Sequence, residues 1–391
     1  MDALTTIDYV ARARDLAPLI AAAGDEIEKL GELPANVRDT LIEQGFFRML
    51  QPRSLGGAEL RPSVFSRVTE AIASVDGSTA WVLCQGSGCS MSAAYLAPDQ
   101  AQEIFGPSTG ILAWGPPMGQ QARKVPGGYL VSGTCRFASG SHHATWLGAH
   151  ALISEQDGSP RLDAKGKQVT RTLLFPKSET NLEYIWNVMG LRGTGSDGYT
   201  LDELFVPDYH SMSRDDPAER TDQGLLYRFT SGQLYASGFA GVALGLARGM
   251  LDAFIEHAKL KKPRGAVRVL RENHVIQSQV AQAEAKWRSS RALLHQTLDT
   301  IWEHIEQHGE MTRDHRMELR LASTWAIQQS KEAILSTYEA VGSGGVFASA
   351  PFERRVRDIL TLVQQGQGRP MHFETCGQYI LGLEPESTTY V

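Results

Sequence analysis

The hydrophobic period of this chain changes twice, and that limits its fold more than any single motif. Between residues 6 and 105 apolar positions recur at helical spacing: Ile7, Val10, Ala11, Leu16, Leu19, Ile20 and Ile27 share one face, and Leu41, Ile42 and Phe46 follow Leu33-Pro34 on another. Gly56-Gly57 breaks the pattern, a helix is expected from Arg61 to Ala73, and a small-residue helix from Thr79 to Leu96 after Asp76-Gly77-Ser78. From Gly106 to Pro207 the period becomes two, with strands expected within Gly127–Gly133 and over Ala144–Ile153, Thr170–Phe175 and Thr200–Val206, and an exposed loop over residues 157–168. From Leu225 onward the period is helical again. Gly238, Gly241, Gly245 and Gly249 line one side of a long helix, whereas the helix expected over Val275–Leu298 is polar around most of its circumference and reads as a subunit contact or a solvated face. At 391 residues the chain exceeds what one core fills. The reading is α+β and multidomain: a helical domain over 1–105, a central β-barrel or β-sandwich over 106–215, and a helical bundle over 216–391.

Charge and cysteine usage exclude several classes of function. A net charge of -6 gives no basic footprint for nucleic acid or an anionic membrane. The four cysteines, Cys84, Cys89, Cys135 and Cys376, form no CxxC pair and no metal-like spacing, which predicts reduced thiols in a cytoplasm and no metal site. The first residues, MDALTTIDYVARARD, lack a basic segment leading into an apolar one, and no run approaches the ~18 apolar residues of a membrane span. No nicotinamide-binding Rossmann unit is evident.

Four segments then carry a resemblance that covers nearly the whole chain. They are Ala113-Trp114-Gly115-Pro116; GGYLVSGTCRFASG at 127–140; MGLRGTGSDGYTLDELFVP at 189–207; and GSGGVFASAPFERRVRD at 342–358, with Gly342 to Phe347, Arg355 and Asp358. In this order they resemble the acyl-CoA dehydrogenase superfamily. The glycines of 189–207 let a backbone turn sharply and approach a ligand closely; the competing reading is a plain hairpin turn.

The departures point to one branch. Many acyl-CoA dehydrogenases carry a glutamate base before a Gly-Thr, where this chain has Val363-Gln364-Gln365-Gly366, and glutamine cannot take the proton. The segment around Phe137, RFASG, resembles instead the flavin-dependent monooxygenases of the same fold, as does Gly193-Thr194-Gly195-Ser196. The resemblance implies reduced flavin, FADH2 or FMNH2, supplied by a separate NAD(P)H:flavin reductase, and O2 used through a C4a-hydroperoxide to hydroxylate a small phenol or indole. It places Trp114, Pro116 and Phe137 against the flavin ring and Ser139 at its N5, and assigns the phosphates to Arg264, Gln277, Gly344 and Gly345, reaching from a neighbouring subunit of a homotetramer. Arg268 or Arg271 could replace Arg264. The pattern DxHTxxxH of that branch is broken here, by Leu360 and Gln365, so Gln365 and His372 become the candidates for contacting substrate. His142 and His143 are expected to hydrogen-bond structurally. Two other readings stay open: an acyl-CoA dehydrogenase with its base elsewhere, and a flavin- or partner-binding homologue without turnover.

Overall fold

The structure, a computed structural model, describes residues 8–214 and 216–387; Ile7 lies outside them. Six helices come first: α1 (Tyr9–Ala22), α2 (Gly24–Leu30), α3 (Ala35–Glu43), α4 (Pro62–Ala73), α5 (Gly77–Ser90) and α6 (Pro98–Phe105). The start of α5 is set by Asp76, whose carboxylate accepts from the Thr79 backbone N–H, and the last residues of the expected helix, Met91–Tyr95, tighten into a 3-10 turn.

Eight strands follow: β1 (Leu112–Ala113), β2 (Gln121–Val125), β3 (Gly128–Ala138), β4 (Trp146–Ser154), β5 (Thr170–Pro176), β6 (Leu182–Glu183), β7 (Asp197–Pro207) and β8 (Ser211–Met212). They form one hydrogen-bonded sheet in the order β6-β7-β3-β2-β4-β5-β8, with β1 parallel to β4. Strand β3 is bulged against β7 twice, between Val131 and Gly133 and between Cys135 and Ala138. Such bulges bend a strand and re-aim its side chains. Residues 157–168 are mostly exposed, and isolated bridges pair Ser154 with Pro160 and Leu162 with Gln168.

Five helices complete the chain: α7 (Ser231–Leu260), α8 (His274–His308), α9 (Arg313–Val341), α10 (Glu353–Leu362) and α11 (Met371–Ile380). A Thr230/Gln233 capping box opens α7 and a Thr312/His315 box opens α9. By length and apolar composition α7 resembles a membrane span, but most of its apolar stretch is buried inside the protein. It is the central core helix. Its glycines meet α4 and α5: a Cβ on Gly245 would lie 2.2 Å from the Glu70 carbonyl and 2.6 Å from Ala73 Cβ, and one on Gly238 would lie 2.5 Å from Cys84 Sγ.

This close packing is testable at one methyl group. Gly245→Ala should lower the unfolding free energy by about 1–3 kcal/mol, the range for overpacking a filled core. A parent-like urea midpoint would show that α4 and α7 do not approach this closely.

Candidate active site

The second bulge of β3 leaves Phe137 at φ +62°, and its ring is 52% exposed beside Trp186, 6.1 Å away and edge-on. Two residues later Ser139 points the other way and is buried. Its Oγ accepts from Trp81 Nε1 at 2.9 Å and lies 2.6 Å from Ser196 Oγ, which lies 2.7 Å from Thr194 Oγ1. Thr194 donates to the Leu191 carbonyl at 2.8 Å. Each hydroxyl has one hydrogen, so that final bond orients the whole chain. Ser196 donates to Thr194, and Ser139 donates to Ser196.

Helix α5 is the floor beneath this arrangement. One turn after Trp81, Gln85 Nε2 donates to the Trp114 carbonyl at 3.2 Å and reaches Tyr235 Oη at 3.5 Å. Trp81 stacks on Phe239 with centroids 4.0 Å apart, and Phe239 stacks in turn on Tyr235. Trp114 is buried and Pro116 is exposed. The backbone between them lies so near β3 that a Cβ on Gly115 would come 1.7 Å from the Arg136 carbonyl.

The candidates read from sequence fall into two groups along α7. Trp114, Pro116, Phe137 and Ser139 gather near its beginning. Gln365 and His372 stand at a similar level, because Lys286 pairs with Glu332, Trp287 Nε1 donates to the Leu244 carbonyl, and Gln328, one turn before Glu332, donates to the Gly368 carbonyl at 2.6 Å. Gln365 accepts from the Gln367 backbone N–H at 2.7 Å, and His372 Nε2 donates to the Gly366 carbonyl at 2.7 Å. Burial lowers the His372 pKa, which keeps the ring neutral. Arg264 and Gln277 are exposed near the far end of α7, where the contact of His257 with Phe352 also holds the turn containing Gly344 and Gly345. From Phe239 to Leu260 the helix rises about 30 Å.

Within one chain, therefore, the second group is remote from the first. Trp81, Gln85 and Tyr235 were not singled out from sequence, and Thr194 and Ser196 were named only as part of the Gly-Thr-Gly-Ser motif. The spacing of Trp81 and Gln85, four residues apart on one helical face, was the available signal.

A profile described as "Acyl-CoA dehydrogenase, C-terminal domain" matches residues 237–365. The oxygenase subunit HsaA of a flavin-dependent monooxygenase from Mycobacterium tuberculosis is 29% identical over 388 residues, covering 96% of this chain and 95% of that one. Residues 237–365 thus resemble the C-terminal domain of the acyl-CoA dehydrogenases, and the chain is similar over nearly its whole length to a flavin-dependent oxygenase subunit. It is also 28% identical, over 366 residues, to indole-3-acetate monooxygenase of Pseudomonas putida, covering 92% of this chain and 90% of the relative. The solved structure of XiaF from Streptomyces sp. in complex with FADH2 and glycerol has the same fold, with a TM-score of 0.88 at 21% identity over 97% of this chain and 96% of that one.

A flavin ring fits what this site presents. The missing Cβ at Gly115 lets residues 114–116 lie flat against β3, and Phe137 turns an exposed aromatic face outward. The glycines of 190–195 serve another purpose than the ligand approach expected of them: they meet protein. A Cβ on Gly190 would lie 2.1 Å from the Arg357 carbonyl, and one on Gly193 the same distance from Ile27.

His142 and His143 fasten the α2–α3 loop to the sheet, in the structural role expected. The ring nitrogens of His142 each face a carboxylate oxygen at 2.6 Å, from Glu32 and from Asp197. His143 Nε2 accepts from the Leu33 backbone N–H at 3.1 Å, and burial lowers its pKa to about 3. Folded His143 stays neutral while the unfolded residue gains a proton near pH 6.5, so its contribution is full above 6.5 and is lost as pH falls toward 3. Between pH 7 and pH 5 this amounts to about 2 kcal/mol. His143→Gln should remove about that much of the parent's acid-side loss in urea unfolding; an unchanged pH slope would exclude the assignment.

Proposed function

We propose that the chain is the oxygenase component of a two-component monooxygenase. It would take reduced FAD or FMN from a separate NAD(P)H-dependent reductase and use O2 to hydroxylate a small aromatic or heteroaromatic compound. The observation that carries this reading is Ser139, set by a bulged strand behind an exposed aromatic face, with its only hydrogen committed to Ser196. A hydroxyl so oriented offers its remaining lone pair, which suits an N–H of a reduced ring.

When bound, the flavin supplies the electrons that activate oxygen; the protein's part is placement and exclusion of water. Trp114, Pro116 and Phe137 would hold the ring, and Ser139 would accept a hydrogen bond at N5. Trp81, Phe239 and Tyr235 form an aromatic wall for the substrate. Gln365 and His372 would meet its polar edge. The position of the dehydrogenase base holds an amide already bonded to Gln367, which supports the oxygenase over the dehydrogenase.

The separation along α7 supports a second element of the proposal, that the flavin site is shared between subunits of a tetramer. Arg264, Gln277, Gly344 and Gly345 would then reach the phosphates of a neighbour's flavin. Exposed Leu260, Val267, Val275, Val346 and Phe347 at that end of the bundle would be covered in the assembly. Four free, buried thiols fit a cytoplasmic location.

Product formation should require reductase, NAD(P)H and O2. In the same assay Ser139→Ala should raise the peroxide released per reduced flavin consumed, and His372→Ala should lower product without raising peroxide. Desaturation of an acyl thioester without oxygen would overturn the reading. Sedimentation should give a tetramer that loses flavin affinity on Arg264→Ala; full-strength flavin binding by a monomer would contradict the shared site.

A further inference from the structure

We infer that Arg214 is the anchor for a carboxylate on the aromatic substrate. The inference rests on the proposed function and narrows its substrate class to aromatic acids. Arg214 follows β8 in the segment leading to α7, and its guanidinium lies over the Trp114 ring, 4.5 Å from the centroid. Nε and Nη1 are both buried without a hydrogen-bond partner among the described residues. Arg214 itself is half-buried, but buried donors are nearly always satisfied, so two such atoms on one guanidinium require an explanation.

Neighbouring acids do not provide it. Glu219, on the same segment, is taken by Arg171 through both carboxylate oxygens, at 2.7 and 2.9 Å, and also accepts from the Ser213 backbone N–H. Asp216 accepts from the Ala218 backbone N–H. The groups that feel the Arg214 charge are Cys89, Tyr235 and His150. Burial pushes the Cys89 thiol up to about 12 and the Tyr235 phenol up, and it pushes His150 down, so all three are neutral. Among the described residues no carboxylate is hydrogen-bonded to the guanidinium or paired with it.

Its position relates this unused charge to the chemistry. Trp114, on which Arg214 stacks, is tied through its carbonyl to Gln85, and Trp81, one turn earlier on α5, is tied to Ser139. One turn is about 6 Å. The stack of Trp81, Phe239 and Tyr235 thus has the Ser139 hydroxyl at its Trp81 end, and the Arg214 charge acts on its Tyr235 end. A ring lying along that wall with an acid arm toward Arg214 would present its far edge toward Ser139. Arg suits this task because its planar head stacks on Trp114 while still donating hydrogen bonds to a carboxylate. A neutral analogue would leave those donors unpaired, which makes the site selective against it.

The test is binding by the full chain without flavin or oxygen, read by calorimetry with indole-3-acetate and its neutral counterpart indole-3-acetamide. The parent should bind the acid at least about tenfold more tightly than the amide, as expected for a hydrogen bond to a charged group. Arg214→Gln should abolish that preference by weakening the acid alone, and Arg214→Lys should restore part of it, which a merely structural role would not do. An acid-to-amide ratio that is near one in the parent, or unchanged in Arg214→Gln, overturns the inference. Because turnover is not measured, a failure of oxygenation leaves this result intact, and a failure here leaves the oxygenase reading intact.

Discussion

Residues 190–195 are held in backbone contact with three helices, and the candidate site depends on that contact. Gly190 lies against the Arg357 carbonyl of α10, Gly193 against Ile27 of α2 and Ser78 of α5, and the Leu191 backbone N–H donates to the buried Asp358 carboxylate at 2.6 Å. Leu191 itself sits at φ +53°. A side chain at either glycine would separate the layers. The Leu191 carbonyl also terminates the hydroxyl chain from Ser139, so the contact that joins the layers also fixes the direction in which Ser139 donates.

Helix α5 carries the second half of that arrangement. It is buried along nearly its whole length, and its small residues admit neighbours closely: a Cβ on Gly88 would lie 2.2 Å from the Tyr235 ring. Tight packing leaves Trp81 and Gln85 little rotamer freedom, so Ser139 and Trp114 are fixed from one rigid element. The surroundings are largely uncharged at neutral pH, because burial holds His150 neutral and Cys89 and Tyr235 protonated. In so apolar a site a single charge has a long reach, which is why the unpaired Arg214 matters.

The length of α7 separates two functions. Its beginning faces the aromatic wall, and its end carries exposed apolar and polar residues about 30 Å away. On the proposed reading, the residues assigned to the flavin ring and those assigned to its phosphates lie at opposite ends of one helix, which is why that reading invokes association of copies.

Much of this was legible from periodicity. The change from helical to alternating and back gave the order of elements, because burial on one face imposes a period on the sequence whatever the neighbours are. The glycine segment and RFASG located the bend of β3 and the residues around Ser139. The partners of Ser139 were not legible: Trp81 is 58 residues away and Ser196 57, and no local pattern encodes which hydroxyl receives which hydrogen. The glycines at 190 and 193 were recognisable as points of close approach, but only the packed layers show that protein rather than ligand approaches them. Arg214 is one of many arginines in the sequence, and its unpartnered Nε and Nη1 among the described residues are seen only once the chain has folded and Glu219 has been taken by Arg171. Local chemistry and period determine elements; which buried group goes unsatisfied depends on every neighbour at once, and the tertiary structure alone decides it.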